Sequence, residues 1–230
     1  MRVQGLLVVV SLAAVALLSG VAVGRADRIY LEGGYLVGGF PTGDWSKVAG
    51  AAMGLEGTNI VRLDPNQLIA FRSTLGWAYN FSRTVDVAAA NVAAGDQLAI
   101  KTSNNTLYFG IGPELSKPTG PMRGFVYGTV GFNTNWTNGG LDGTVSGNRY
   151  SANVGATSTV FAWSVGGGLR KTMKGVPGGK VELSAEYRSG TGHNYLLPDD
   201  VHSAGGNVAW DRKGNAQDQV LVRLGTVYGR

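Results

Sequence analysis

Cysteine is absent from this 230-residue sequence. That excludes disulfide staples and a lipid-bearing amino-terminal cysteine, so stability must come from strand pairing and burial. Charge is sparse too: Asp, Glu, Lys and Arg make up 15% of the chain, with a formal net charge of +5. A surplus that small does not point to nucleic acid as a partner. Histidine occurs only at His193 and His202, leaving few imidazoles for base catalysis or metal binding. After the amino terminus no apolar run is long enough for a membrane helix, and no stretch carries a helical apolar period. Residues 87–94 are alanine-rich, but the stretch is short and ends at Gly95-Asp96.

The one long apolar run, residues 6–18, is broken only by Ser11 and is shorter than the roughly 20 residues a helix needs to cross a bilayer. With Arg2 before it and Ala22-Val23-Gly24 or Gly24-Arg25-Ala26 after it, the segment 1–26 reads as a secretory signal peptide. Cleavage after Ala26 would remove Arg2 and Arg25 but no acid, lowering the charge from +5 to +3. No linker or charge block divides residues 27–230, which read as one domain. The 37 glycines follow no collagen-like period, and many fall inside strand-like runs such as Gly166-Gly167-Gly168, where they let strands bend and coil.

What the chain has in abundance is alternation. Ile69, Phe71, Leu75, Trp77 and Tyr79 take turns with Ala70, Arg72, Thr74, Gly76 and Ala78, the period-two signature of a strand with two unlike faces. Eight such segments are expected, at 29–41, 51–62, 68–81, 98–115, 122–136, 159–171, 180–188 and 219–228. Links after the second, fourth and sixth are tight and rich in Gly and Pro. Those after the first, third, fifth and seventh (43–50, 82–97, 137–158 and 189–218) are mostly long and polar. Short and long links therefore alternate between the two ends of an up-and-down meander. That rhythm, with the signal peptide, favours an all-β, eight-stranded antiparallel up-and-down transmembrane β-barrel over a soluble sandwich or calycin-like barrel.

In such a barrel the bulky parity faces lipid. Phe71, Trp77, Tyr79, Phe132, Trp136, Phe161, Trp163, Tyr187 and Tyr228 are then candidate aromatic girdles: Phe71 and Tyr228 toward the periplasmic rim, the rest toward the external one. The opposite parity collects Glu56, Arg62, Arg72, Glu114, Arg123, Arg170, Glu182, Glu186, Arg188 and Arg223. Six arginines and four glutamates inside so narrow a cylinder must pair, because desolvating a lone ion costs several kcal/mol. The expectation is a salt-bridged lumen, plugged rather than open.

Residues 104–113 (NNTLYFGIGP), 121–131 (PMRGFVYGTVG) and 181–188 (VELSAEYR) resemble the outer-membrane β-barrel domain family, related to OmpA-like and opacity-type barrels. The likeness is diffuse, carried by Gly-aromatic alternation along the whole mature chain. The closing segment 222–228 (VRLGTVY) resembles the last-strand signal read by barrel-assembly machinery, although the sequence ends Gly229-Arg230 and not on an aromatic residue. The resemblance implies insertion into a Gram-negative-type outer membrane, with outer-membrane lipid, lipopolysaccharide and the assembly machinery as partners. It implies no shared activity.

Chemistry-bearing motifs are weak. His193 and His202 lie in the last long link beside Ser189, Ser203, Asp199 and Asp200, the only place for an acyl hydrolase of the kind some small outer-membrane barrels carry, and no family motif supports one. Asp199, Asp200 and His202 match no defined metal spacing. Gly175-Val176-Pro177-Gly178-Gly179-Lys180 lacks the spacing, the Ser/Thr and the helix of a phosphate loop and reads as a turn. Asn135-Trp136-Thr137 and Asn104-Asn105-Thr106 match glycosylation sequons by chance. The reading is a monomeric, non-enzymatic barrel without cofactor or metal, with a structural or surface-interaction role. A narrow channel or carrier for small solutes is the alternative.

Overall fold

The computed structural model describes residues 30–64, 66–88, 91–117, 120–211 and 213–229. The expected signal peptide lies outside the described residues. Eleven strands are found among them: β1 (Tyr30–Thr42), β2 (Ala52–Arg62), β3 (Ile69–Asp86), β4 (Gln97–Ser116), β5 (Met122–Val145), β6 (Asn148–Asn153), β7 (Ala156–Thr172), β8 (Gly179–Tyr195), β9 (Val201–Ala204), β10 (Asn207–Trp210) and β11 (Lys213–Gly229). Eight of them, β1, β2, β3, β4, β5, β7, β8 and β11, form a closed antiparallel ring in that order, with β11 returning to pair with β1 from Leu31↔Gly229 to Thr42↔Asp218. Closure leaves no free edge around the middle of the ring.

Tight turns close one end of the ring, where β1 begins and β11 finishes. In the β2–β3 turn the Asp64 carboxylate accepts from the backbone N–H of Leu68 at 3.1 Å and Ile69 at 2.6 Å. Those amides hold the Asp64 carboxyl below the usual carboxylate range. The other end is taller than the links 82–97, 137–158 and 189–218 suggest. β3 runs on to Asp86, β4 starts at Gln97, β5 continues to Val145 and returns as β6, and β8 and β11 reach Tyr195 and Lys213. A ladder needs only backbone partners, so polar Thr, Asn, Ser and Gly extend the strands once both faces no longer have to be apolar.

Hydrophobic parity inverts along these tall strands. On the middle of β4 the outward positions Leu107, Phe109 and Ile111 are apolar; farther up, the inward positions Leu98 and Ile100 are, opposite outward Lys101. On β5, outward Val126, Val130 and Phe132 give way to inward Leu141 and Val145. Leu98, Ile100, Leu141 and Val145 pack with Val87, Val154, Leu196 and Val201 into a small core that caps the tall end. The link 43–51 carries a one-turn helix, Trp45–Val48, against β1, β3, β4 and β11. There Trp45 is fully buried and stands edge-on to Tyr195 at 4.8 Å.

Candidate functional site: the charged lumen

Alternation turns one residue in two toward the axis, and the charges sit at those positions. Glu56 and Arg62 come from β2, Arg72 from β3, Glu114 from β4, Arg170 from β7, Glu182, Glu186 and Arg188 from β8, and Arg223 from β11. All nine are buried. Arg123, on β5, is half-buried at the short-turn mouth and donates to Gln67 Oε1 at 3.0 Å rather than to a carboxylate.

The buried charges form two clusters. In the lower one Glu114 accepts from Arg72 Nη1 at 2.9 Å and from Arg170 Nη1 and Nη2 at 2.5 and 2.8 Å, with Arg62 Nη1 at 3.6 Å. Glu182 takes Arg170 Nε at 2.5 Å and Arg72 Nη2 at 3.5 Å. In the upper cluster Arg188 bridges Glu56 at 2.7 Å and Glu186 at 2.8 Å. Arg223 closes that ring onto Glu186, and its Nε lies 2.5 Å from Glu56 Oε2 at angles outside hydrogen-bond geometry. The forked guanidinium suits this work, since two or three carboxylate contacts fix its plane.

Aromatic side chains complete both clusters, and parity reasoning missed them because it sent aromatics outward. Tyr127 donates to Glu186 Oε2 at 2.7 Å and accepts from Arg223. Arg188 lies 3.5 Å from the centroid of the Tyr108 ring, Arg170 3.9 Å from Phe125 and Arg72 4.3 Å from Tyr127. The sequence signal is a small neighbour: Gly110 and Gly166 leave the space that the Tyr108 and Tyr127 rings fill. Above the charges lies a neutral layer. Asn133 donates to Gln217 at 2.7 Å, Gln217 to Thr106 at 3.1 Å, and Thr137 to Asn104 at 2.6 Å.

On the outer wall, Phe71, Trp77, Phe132, Phe161, Trp163 and Tyr228 are exposed, and Tyr79, Trp136 and Tyr187 are half-buried on the same face. Phe109, Phe132 and Phe161 stand side by side across β4, β5 and β7, and Trp163 meets Tyr187 at 5.6 Å. Leu36, Phe40, Met53, Leu55, Leu169, Leu183 and Leu224 extend the belt around the ring, all exposed. Water would not support so continuous an apolar surface.

The sequence matches no protein-family model and none of the curated proteins. Among solved structures, the chain is similar to a major outer membrane protein from Thermus thermophilus, at 16% identity and a TM-score of 0.50 over 90% of this chain and 100% of that one. This is an outer-membrane β-barrel fold. Neisserial surface protein A aligns at 9% identity and TM-score 0.44 over 89% of this chain and 98% of that one. Ail, the attachment invasion locus protein of Yersinia pestis, aligns at 12% and 0.41 over 88% and 98%. The likeness to the Thermus thermophilus protein, at 16% identity, speaks for the fold alone. In a transmembrane barrel, the apolar belt is the lipid-facing wall and the charged clusters are its interior.

The remaining polar residues of this barrel are dispersed. His193 Nδ1 lies 2.8 Å from Ser158 Oγ, a serine outside the group considered from sequence. Ser203 donates to Asp96 at 2.6 Å, and Asp200 accepts from the Leu197 amide at 3.3 Å. Asp199 and His202 are exposed, and Ser189 is buried a strand apart from Ser203. Ser203 thus turns to Asp96, Asp200 to the Leu197 amide and His193 to Ser158. Among the described residues, no three His, Asp or Glu side chains come together as a metal site.

Proposed function

We propose that this chain is an integral outer-membrane protein of a Gram-negative-type bacterium, exported with its signal peptide, whose lumen is plugged by the Arg/Glu clusters. Its role is structural or surface-interacting, carried by the folded external end, without catalysis or cofactor. The observation that supports this reading best is the burial of five arginines and four glutamates from six strands, joined across the lumen. A solute crossing the barrel would have to part those pairs, and separating one buried charge from its partners costs several kcal/mol. The exposed belt suits outer-membrane lipid and lipopolysaccharide as surroundings, with barrel-assembly machinery inserting the chain. Around the middle of the ring no strand edge is free to pair with another copy, which supports a monomer.

Planar-bilayer recording tests the plug. The expected result is an absence of unitary currents from the folded protein. Reproducible unitary currents that change in Glu186→Ala or Arg123→Ala would overturn it and establish a narrow channel for small solutes. Fractionation with the outer membrane, and migration that shifts on heating, test the location.

A further inference from the structure

The charges of the lumen balance at one end and not at the other. The upper cluster sets Arg188 and Arg223 against Glu56 and Glu186. Toward the short-turn mouth, Arg62, Arg72, Arg123, Arg170 and Lys180 face two lumen carboxylates, Glu114 and Glu182; Asp64 of the β2–β3 turn is a third acid acting on Arg62, its oxygens already taken by the Leu68 and Ile69 amides. Arg72 and Arg170 occupy both carboxylates with contacts between 2.5 and 3.5 Å, which leaves three cations underserved.

Arg62 is 5% exposed, meets Glu114 only at 3.6 Å, and carries a buried Nε with no acceptor. Its Nη1 donates instead to Ser116 Oγ at 2.6 Å and to the Gln67 carbonyl at 3.2 Å. Arg123 stands directly opposite Arg170 in the β5–β7 ladder, a like-charge pairing that sheets avoid. Lys180, half-buried on the inner parity of β8, has Arg123, Arg62 and Arg170 as its cationic neighbours and Glu114 as its acidic one. Gln67, between the two mouth arginines, has a φ of 57°, a left-handed conformation uncommon for a residue with a side chain. That turn aims both its carbonyl and its side-chain oxygen at guanidinium groups. Strained backbone of this kind clusters at ligand clamps and active sites, and here it lies beside the two mouth arginines.

We propose that this mouth is a binding site for a phosphate-bearing anion, received by Arg62 Nε, Arg123 and Lys180, with Gln67 and Ser116 as the groups that position the guanidiniums. Forked guanidiniums and an ammonium are the side chains that recognise phosphate oxygens, and an anion would offset the surplus charge. The site stands apart from the plug reading, since it needs no passage through the lumen. A free phosphate and the phosphate of an anionic lipid headgroup in the adjoining leaflet share this chemistry.

The test uses the full chain folded in uncharged detergent and titrated with inorganic phosphate by calorimetry. In parallel, unfolding temperature is measured in phosphatidylcholine vesicles with and without phosphatidylglycerol. Saturable phosphate binding that weakens about tenfold or more in Arg123→Gln/Lys180→Gln is expected, with Lys174→Gln, an exposed lysine of the β7–β8 turn, unchanged. Phosphate binding alone assigns the site to a free anion. A rise in unfolding temperature with phosphatidylglycerol, lost in the double variant, assigns it to a headgroup. If the double variant does not fold, Lys180→Gln alone takes its place. Neither response in the folded wild type, an undiminished response in the variant, or an equal loss in Lys174→Gln overturns the proposal.

Discussion

Glu114 is where most of the lower lumen converges, taking Arg72 and Arg170 on its two oxygens with Arg62 close by. Glu114→Ala would leave three buried guanidiniums with one remaining carboxylate between them. A loss of about 3–5 kcal/mol is expected, because an orphaned buried charge costs more than the pair contributed. It is read from the urea midpoint of the shift in heat-modifiable migration, with Lys171→Ala on the exposed face as the unaffected control. Gly166→Ala acts on the upper cluster by another route. A Cβ there meets the Tyr127 hydroxyl and ring and the backbone carbonyl of Ala185, so the bond to Glu186 and the seat of Arg223 are displaced and the β7–β8 ladder is pushed apart. A lower unfolding temperature is expected, relieved by Tyr127→Phe only so far as the hydroxyl is the obstacle. At this scale, which positions share a face was legible, since side chains alternate with a period of two whatever the fold. Which arginine meets which glutamate was not, for Arg188 and Glu56 are 132 residues apart and meet only through ring closure.

Among elements, the informative feature is the inversion of apolar parity on β4 and β5. Below the inversion the outside is lipid and apolar residues turn outward. Above it the outside is water, and Leu98, Ile100, Leu141 and Val145 turn inward beneath the cap. The solvent outside changes, not the backbone. The stretches 82–97 and 137–158 looked like loops because reading for one fixed parity ends the strand where the parity switches. Leu141→Ala should therefore loosen the cap by about 2–5 kcal/mol without unfolding the ring: proteolysis of β5–β6 and β9–β10 quickens while heat-modifiable migration persists. Asp96 ties the same cap, accepting from the Ser146 amide at 2.7 Å and from Ser203 Oγ at 2.6 Å. The Ser203 hydroxyl and then the Ser146 amide hold its carboxyl below the usual aspartate value. The folded value is the lower one, so this contribution is full above the ordinary value of 3.8 and is lost as pH falls through the folded value. Protection factors against hydrogen exchange, taken relative to the intrinsic rate at each pH, should fall at Ser146 and across β9 at acid pH, and in Asp96→Asn the fall should be present at neutral pH.

For the molecule as a whole, the belt and the cap make a spatial prediction about tryptophan. Trp77 and Trp163 lie exposed on the wall, whereas Trp45 is fully buried at the tall end and Trp210 packs against the cap core. In vesicles of lipid brominated along the acyl chain, single-tryptophan variants keeping Trp77 or Trp163 should be quenched and those keeping Trp45 or Trp210 spared. Equal quenching of all four would mean the belt does not face lipid. The sequence by itself determined the strand count of the ring, the antiparallel meander and the two unlike faces. Those follow from local alternation and turn chemistry, which act over a few residues. Only the tertiary structure decided the height of the strands, the two charge clusters with their inward tyrosines, the capped end and the surplus of cations at the other mouth. Each of these depends on residues far apart in the chain that become neighbours once β11 pairs with β1.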